Sequence, residues 1–410
     1  MGTMTPDIGV VVPYYDDQRG LDLLLAALDQ QDCAGRFEVV VADDGSPVAP
    51  AVGEHPFAVR VVGQADAGFR AAAARNLGAA HTDAPVLCFL DGDTLPTPGY
   101  LGALAAVVAA GDERGVLAVG RRRHAELSGH APEDVVRWLA GEPVDVTTLP
   151  DPQWLARGYA ETDDLASADA GGFRLVISAV LACDAELFAR VGGFDEDFVG
   201  YGGEDWELGH RAWLAGAALR HVPGAVAWHD GPDAGGRAPD HLAKTVETLR
   251  VASRVAAPGA RHPGLVWPHP AVSVELDDTG CDPAAVLACC ADLLAVPDVR
   301  VHLRSGECTT TPGWPVSDPR VVIGPEPAAT AARRAWHVQV TRPVLLDVDV
   351  HALCARGEAA YDDALVVTET RSRALGLPPP PARSGAGVLR DLPARVSLEG
   401  LWGWGDPSAP

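Results

Sequence analysis

The stretch VLCFLDGDTLPTPGYL, residues 86–101, holds an apolar run that ends in two carboxylates separated by one glycine. The run VLCFL predicts a buried strand, because a short continuous apolar run fits a strand that is covered on both faces. Asp91 and Asp93 follow this strand directly, and side chains two residues apart in extended backbone point to the same side. Two carboxylates so placed can ligate one hard divalent cation. For so short a motif, a turn with Asp side-chain hydrogen bonds is the alternative.

The residues before this stretch alternate between strand and helix patterns. Strands are predicted at residues 8–13, 38–42 and 59–62, and helices at residues 21–30 and 69–80. Apolar strands that alternate with helices predict an α/β fold whose parallel sheet is covered on both faces. Ligands of such sheets bind beyond the carboxyl ends of the strands, where Pro13, Asp44 and Asp91 lie. We therefore expect a ligand site at this edge of the sheet.

The charge balance limits the classes of partner. The chain has 56 acidic and 32 basic residues and a net charge of -24, and a surface so acidic repels nucleic acid and anionic lipid. No run approaches the roughly 20 apolar residues that span a bilayer. We see no secretory signal pattern, and the eight cysteines lack metal-ligand or disulfide-framework spacing. We expect a cytoplasmic protein with no nucleic-acid partner and no stable membrane insertion.

A second cluster of carboxylates lies in the loop Gly202-Gly203-Glu204-Asp205, directly before the helical pattern WELGHRAWLAG. The glycines let the backbone approach a ligand closely or move as a lid. At a helix N-terminus, the helix dipole favours the ionised form of both acids. An acidic N-cap alone would explain Asp205, but it would not explain two glycines and two acids together. This loop is therefore a candidate catalytic segment.

His229 ends the predicted strand GAVAWH, residues 224–229. A single histidine at a strand end is more often structural than a ligand. A neutral imidazole would nevertheless complete a metal site begun by a pair of carboxylates, and borderline ions such as Mn²⁺ accept that mixture. Both interpretations stay open on the sequence pattern alone.

The chain divides by pattern into four parts. We predict a first domain at residues 1–256, a linker at 257–270, a smaller α/β domain at 271–375 and an extended tail at 376–410. The linker is dense in Pro and Gly, and the run PPPP at 378–381 marks the tail. Inside the first domain, residues 111–170 show only a weak pattern. We expect loops and short helices there, in a region that faces the substrate.

The sequence resembles the inverting GT-A glycosyltransferases of family 2. The matching motifs are VVVPYYD, VVVADDGS, DAGFRAAAARNLGAA, FLDGDTLPTPGYL and GGFDEDFVGYGGEDWELGHRAWLAGA. The last is similar to a segment shared by chondroitin polymerase-like enzymes, polypeptide N-acetylgalactosaminyltransferases and β-1,4-galactosyltransferases. The resemblance covers residues 6–235 and implies a Rossmann-like nucleotide-diphospho-sugar transferase domain, followed by the second, smaller α/β domain.

The resemblance implies a nucleotide site at the first strands. Asp44 matches the acid that hydrogen-bonds the uracil ring, the backbone near Pro13 lines that pocket, and Arg70 faces the base. Arg75 and Asn76 match the ARN of the pattern, and we interpret them as structural rather than catalytic.

The resemblance also implies a metal and a base. Asp93 matches the direct metal ligand, Asp91 lies toward the ribose and the metal waters, and His229 completes the metal sphere. Asp205 matches the catalytic base, and Glu204 matches an acid that holds the acceptor sugar. Tyr201 stands where a tryptophan is often found in the mobile loop, so stacking on the acceptor would differ here.

These matches predict a metal-dependent, inverting hexosyltransferase that uses Mn²⁺ or Mg²⁺. The donor would be a nucleoside diphosphate sugar, a UDP-sugar above all. The acceptor would be a hydroxyl or thiol of a glycan, a peptide or a small molecule. A non-catalytic sugar-nucleotide or glycan-binding protein is the first alternative, but it would be expected to lose the acidic pairs. A nucleotidyltransferase is the second, but it would usually begin with a glycine-rich basic loop, which VVVPYYDDQRG lacks.

The run VLLDVDV, residues 344–350, predicts a second strand that ends in a pair of acids, Asp347 and Asp349. It could mark a degenerate GT-A-like domain, but no second GGED follows and no DDGS precedes it. We favour an acidic strand end in a domain for homo-oligomerisation or acceptor binding. Trp402 and Trp404 could stack on sugars, although an anchoring role for the tail is favoured.

Overall fold

The computed structural model describes residues 6–33, 36–233, 241–257, 259–262, 264–312, 314, 318–393 and 395–401. The chain forms two compact units, Met1–Val251 and Ala252–Pro410. Each unit has its own sheet, so the predicted α/β fold with a second, smaller α/β domain is confirmed. The boundary between the two units lies within the helix His241–Arg254.

The first unit consists of one large sheet and its helices. Its strands are β1 (Ile8–Tyr14), β2 (Phe37–Asp43), β3 (Ala58–Gly63), β4 (Val86–Leu90), β5 (Thr94–Pro96), β6 (Val116–Ala125), β7 (Thr148–Leu149), β8 (Val180–Asp184) and β9 (Ala218–Asp230). Its helices are α1 (Gln18–Leu28), α2 (Ala71–Ala79), α3 (Tyr100–Ala109), α4 (Pro132–Leu139), α5 (Gln153–Glu161), α6 (Ala185–Val191), α7 (Glu204–Leu214) and α8 (His241–Arg254).

The strand order in this sheet is β3-β2-β1-β4-β8-β6-β9-β5, with β7 paired to β6. The four strands β3, β2, β1 and β4 run parallel, and β8 is antiparallel to β4. The middle of β1 is fully buried, as the continuous apolar run predicts. Helix α2 packs closely on it, because a Cβ at Gly78 would meet the Val11 side chain at 2.4 Å.

The long strand β9 links two parts of the first unit. Its first half runs parallel to β6, and its last residues are antiparallel to β5. An irregularity in β6 between Gly120 and Arg121 shifts the register with β9. After the shift, His229 lies opposite His124 of β6. On its other side His229 lies opposite Thr94 of β5, so the end of β9 is next to the Asp-Gly-Asp segment.

The second unit consists of a smaller sheet with shorter helices. Its strands are β10 (Val272–Leu276), β11 (Val299–Leu303), β12 (Val321–Ile323), β13 (Trp336–Val340), β14 (Val344–Leu346), β15 (Ala359–Tyr361), β16 (Leu365–Glu369), β17 (Ala382–Arg383) and β18 (Leu389–Asp391). Its helices are α9 (Pro283–Leu293), α10 (Ala328–Ala331), α11 (Val350–Ala355), α12 (Thr370–Ala374) and α13 (Leu398–Leu401).

The second sheet repeats the strand plan of the first. Its order is β12-β11-β10-β13-β16-β15-β17, the first four strands are parallel, and β16 is antiparallel to β13. This matches β3-β2-β1-β4-β8 in both chain order and direction. The separate pair β14-β18 is antiparallel, as β5 and the end of β9 are. The second unit therefore has the topology of the first on a smaller scale.

Asp347 and Asp349, the pair of acids that the sequence singles out in the second unit, make ordinary structural contacts. The Asp349 carboxylate accepts a hydrogen bond from the Ala352 backbone N–H at 2.7 Å and caps α11. Asp347 pairs with Arg390 at 2.6 Å. The strand β14 ends at Leu346, so Asp347 follows it directly, as Asp91 follows β4.

Two strands lie in the segment for which the sequence predicts an extended tail. Here β17 pairs with β15 and β18 pairs with β14. Trp402 and Trp404 lie outside the described residues.

All eight cysteines are free thiols, and six of them are buried. None of the helices in the described part of the chain combines the length and the apolar character that crossing a bilayer requires.

Candidate functional site

Asp44 is the centre of a hydrogen-bonded cluster at the carboxyl ends of β1 and β2, which we call the Asp44 pocket. Its buried carboxylate accepts hydrogen bonds from the Gln64 side chain at 2.6 Å and from the Arg70 backbone N–H at 2.7 Å. The Arg70 guanidinium also donates to it at 3.1 Å. Pro13 lies on the neighbouring strand β1, and its carbonyl oxygen is close to Gly92. A Cβ atom built on Gly92 would be 3.9 Å from this oxygen. The structure thus brings Pro13, Asp44 and Arg70 to the edge of the sheet where Asp91 begins.

Arg75 joins the two acidic segments of the sequence. Its guanidinium donates to Asp91 at 2.6 Å and to Glu204 at 3.0 Å, and the side chain is only 3% exposed. Burial alone would lower the pKa of Arg75, but the charges of Asp91 and Glu204 raise it above its ordinary value. Arg75 therefore stays charged and holds the end of β4 against the start of α7.

Asp93 and His229 form the second pair. The Asp93 carboxylate lies 3.3 Å from Nε2 of His229, and His229 Nδ1 is 3.3 Å from the Gly231 carbonyl. Burial alone would raise the pKa of Asp93, but the hydrogen bond and charge of His229 lower it. Burial alone would lower the pKa of His229, but Asp93 raises it. Each group therefore favours the ionised form of the other.

The donor set of this pair suits a borderline divalent ion. Carboxylate oxygen and imidazole nitrogen are ligands that Mn²⁺ accepts. Within the described ranges, no group of three or more His, Cys, Asp or Glu side chains is gathered around a common point. The protein would thus supply Asp93 and His229, and substrate phosphates and waters would supply the remaining ligands, as is usual for Mg²⁺ sites. Asp91, the third predicted ligand, is paired with Arg75 instead.

Asp205 occupies the first turn of α7. Gly202 and Gly203 before it both have left-handed backbone, with φ of 86° and 95°, which side chains rarely tolerate. The Asp205 carboxylate accepts hydrogen bonds from the backbone N–H groups of Trp206 at 2.8 Å and Ser178 at 3.4 Å. Burial, and next the nearby charge of Glu204, raise the pKa of Asp205 to about 7. This carboxyl is therefore able to exchange a proton at neutral pH.

Residues of the two acidic segments line a cleft of about 470 Å³. Among its lining residues are Arg75, Asp91, Glu204 and Asp205. The aromatic residues Phe69, Trp154, Tyr201 and Trp206 line it as well. Tyr201 is 62% exposed and Trp154 is 50% exposed, so apolar rings face solvent beside the carboxylates. Such a combination suits a polar ligand with apolar faces.

Four of the predicted site residues do not line this cleft: Asp44, Arg70, Asp93 and His229. A series of contacts connects the Asp93–His229 pair to the cleft. Asp233 lines the cleft and pairs with Arg122 at 2.8 Å. His124 lies 3.9 Å from Asp233, and its ring centre is 5.3 Å from that of His229. Burial lowers the pKa of His124 to about 4, so this imidazole is neutral.

Sequence reasoning missed several of these residues. We interpret Arg75 as structural, and its contacts with Asp91 and Glu204 agree with that role, but the sequence did not indicate these two partners. Its signal was a single charge in the apolar helix AAAARN, since a buried arginine needs partners. Trp154 and Arg122 lie in the weakly patterned region and gave no motif. Asn76 has the structural role that we predicted for it, because its amide bonds Glu196 and the Phe194 backbone.

Comparison with known proteins adds two family matches. Residues 9–141 match the model described as glycosyl transferase family 2. Residues 172–229 match the model described as the N-terminal domain of galactosyltransferase. The two matches together include the Asp44 pocket, the Asp-Gly-Asp segment and the start of α7.

Individual relatives share the first part of the chain. Validoxylamine A glucosyltransferase of Streptomyces hygroscopicus subsp. limoneus is 35% identical over 231 residues, which are 52% of this chain and 49% of that protein. Chondroitin synthase of Escherichia coli is 29% identical over 243 residues, 55% of this chain and 35% of that protein. The chain thus spans half or less of the length of these relatives. Among solved structures, S. aureus TarS aligns with a TM-score of 0.41 and 15% identity, over 62% of this chain and 40% of that one.

Proposed function

We propose that the first unit of this chain, which matches the models of glycosyl transferase family 2 and of the galactosyltransferase N-terminal domain, transfers a sugar from a UDP-sugar to an acceptor hydroxyl or thiol with inversion. The observation that carries this proposal is Asp205. It is a carboxyl with a pKa raised to about 7, in a cleft that is also lined by four other acidic residues and four aromatic rings. A general base works best when its pKa lies near the operating pH.

In this proposal the Asp44 pocket holds the nucleotide base. The Asp44 carboxylate is already oriented by Gln64 and Arg70, so it needs little rearrangement to accept a hydrogen bond from a uracil N–H. The Pro13 backbone would line the same pocket, and the nearby Asp91 would face the ribose.

Asp93 and His229 would hold a divalent metal at the diphosphate. When bound, such an ion stabilises the negative charge that develops on the departing nucleoside diphosphate. The chain has 56 acidic residues, so its own surface offers little attraction for a diphosphate. The residues of the site would then place the anomeric carbon of the donor toward the cleft.

Asp205 would take the proton from the acceptor. The acceptor oxygen or sulfur forms a bond to the anomeric carbon, the bond from that carbon to the diphosphate oxygen breaks, and the diphosphate leaves with the electron pair. The acceptor proton moves to the Asp205 carboxylate. One displacement from the face opposite the leaving group inverts the anomeric configuration. Glu204, held by Arg75, would accept hydrogen bonds from the acceptor, and Trp154 and Tyr201 would contact its apolar faces.

The activity should depend on pH in a defined direction. Only ionised Asp205 can accept the proton, so kcat/KM should fall about tenfold per pH unit below its pKa of about 7 and level off above it. A profile of kcat/KM from about pH 5 to about pH 9 measures this dependence.

The variant Glu204→Gln gives the control for this profile. Removal of the Glu204 charge should move the acidic limb to lower pH, because that charge is the second cause of the raised pKa after burial. The limb need not return fully to the ordinary range, since burial remains. An acidic limb at the same pH in both proteins would assign it to a group other than Asp205.

A screen of nucleotide sugars tests the function as a whole. We expect metal-dependent hydrolysis of one or more UDP-sugars with Mn²⁺ or Mg²⁺, because water can replace the unknown acceptor. An excess of chelator should abolish this hydrolysis, and added Mn²⁺ should restore it. Binding of a UDP-sugar without turnover under any metal would favour a non-catalytic binding protein, and full turnover in chelator would refute the metal assignment.

A further inference from the structure

The second unit contains a polar cavity of about 560 Å³, which we call the C-terminal cavity. Its polar lining includes Ser273, Glu275, His302, Glu326, His337 and Gln339. The residues come from β10, β11, β13 and the segment after β12. Several lie near the carboxyl ends of these parallel strands, which is where open α/β sheets bind their ligands.

The cavity exists because one face of the second sheet is polar. In β10, Val272, Val274 and Leu276 point into the apolar core, whereas Ser273 and Glu275 point to the other face. In the first unit, the equivalent strand β1 is apolar on both faces and is covered by the nine-residue helix α2. The equivalent connection in the second unit carries only the four-residue helix α10. A parallel sheet is normally covered on both faces, so this opening is unusual.

Two buried polar side chains, His302 and Glu326, line the cavity, and a third, Arg334, contacts Glu326. Arg334, which is fully buried, donates to Glu326 at 2.8 Å and to the Pro270 carbonyl at 3.0 Å. His302 is 3% exposed, and its Nδ1 is 3.1 Å from the Gly324 carbonyl. Its Nε2 has no hydrogen-bond partner among the described residues and lies 3.9 Å from Glu326. A buried polar atom without a partner is costly, so this part of the lining is suited to a ligand that hydrogen-bonds.

The charges at the cavity indicate a neutral ligand. The charged residues that line it are Glu275, Glu326 and Arg373. Glu326 pairs with Arg334, and Glu275 pairs with Arg304. Burial lowers the pKa of His337 to about 4, so that side chain adds no charge at neutral pH. The lining thus offers carboxylate, amide and imidazole groups with no net positive charge to attract a phosphate. A volume of about 560 Å³ is within the usual range for small-molecule sites.

We propose that the C-terminal cavity is a binding site for a neutral carbohydrate, separate from the cleft of the first unit. Sugar hydroxyls both donate and accept hydrogen bonds, so they can satisfy the carboxylates and the unpaired nitrogen of His302 together. The site would bind a sugar without reacting with it. It does not depend on the transferase activity proposed above, because binding here is measured without turnover.

The test is titration of the full chain with D-glucose, D-galactose and N-acetyl-D-glucosamine, in which saturation-transfer NMR detects binding. At least one of these sugars should bind. The variants Glu275→Gln and His302→Leu should raise the Kd of the bound sugar by about tenfold or more, because each loses a hydrogen bond to a charged or buried group. Thermal unfolding confirms that each variant is folded, and the half-exposed Glu275 makes that variant the safer of the two.

Asp277→Asn is the matched control. Asp277 pairs with Arg304 at 2.8 Å, and Glu275 pairs with the same arginine at 3.3 Å, but only Glu275 lines the cavity. The control should bind sugar as the native chain does. Equal binding by all variants would place the sugar elsewhere, and absence of binding for all three sugars would overturn the proposal. Loss of UDP binding in the cavity variants would also overturn it, since the cavity would then be a nucleotide site.

Discussion

Replacement of Asp205 by asparagine should lower kcat by about 10² to 10⁴-fold, the usual contribution of a positioned general base. Asparagine has nearly the same shape, and its one carbonyl oxygen can still accept the 2.8 Å hydrogen bond from the Trp206 N–H. Its NH2 group cannot accept the longer contact from the Ser178 N–H or take up the acceptor proton. The Kd of the UDP-sugar should stay the same, because the Asp44 pocket and the Asp93–His229 pair are unchanged. Single-turnover transfer and donor titration measure the two quantities separately.

The control for this variant is Glu186→Gln, which changes an exposed carboxylate in the first turn of α6. It alters the charge of the protein equally but lies at another helix, so kcat should be unaffected. Turnover close to that of the native chain in the Asp205 variant would remove Asp205 as the base. A parallel loss of donor binding would show that the substitution had disturbed the whole site.

Replacement of Arg75 by methionine should lower the free energy of unfolding by about 3–5 kcal/mol. Methionine fills a similar volume, but it leaves Asp91 and Glu204 without the cation that both contact. The cost arises because Glu204 is buried, and an uncompensated buried charge is strongly destabilising. Denaturant unfolding of the native chain and the variant measures the difference.

A triple variant separates charge from shape in this result. Adding Asp91→Asn and Glu204→Gln to Arg75→Met removes the two unpaired charges, so most of the lost stability should return. If the single variant loses less than about 1 kcal/mol, the three groups do not depend on one another as their geometry indicates. If the triple variant stays as unstable as the single one, packing of the arginine stem is the main contribution.

The sequence predicted the first strands well, because each has one simple signal. The strands β1, β2, β3 and β4 are short apolar runs bounded by polar residues, and the structure places each within a few residues of the prediction. The strand β6 was missed, although it lies in the middle of the sheet. Its second half is RRRH, and so many charges hide the strand pattern. The short strands β15, β17 and β18 were missed because two or three residues carry no periodicity.

The candidate site was predictable in its acids but not in their pairing. Asp44, Asp91, Asp93 and the Glu204-Asp205 pair each follow a strand or begin a helix, which the sequence shows directly. The ion pair between Arg75 and Glu204 joins residues 129 positions apart, and no local pattern reports such a contact. The opposition of His229 and Thr94 likewise depends on the pairing of β9 with β5, two strands that are far apart in the chain.

The position of β6 between β8 and β9 has a consequence for synthesis of the chain. On a ribosome, β6 emerges roughly 90 residues before β9, a delay of roughly 5–20 s at ordinary translation rates. During this interval the side of β6 that will receive β9 is an open strand edge, the kind of surface on which nascent chains aggregate. Arg121, Arg122 and Arg123 lie on that strand, and positive charges on an edge discourage pairing with other chains. The arginines that obscure β6 in the sequence would thus protect it until the C-terminal strand of its own unit arrives.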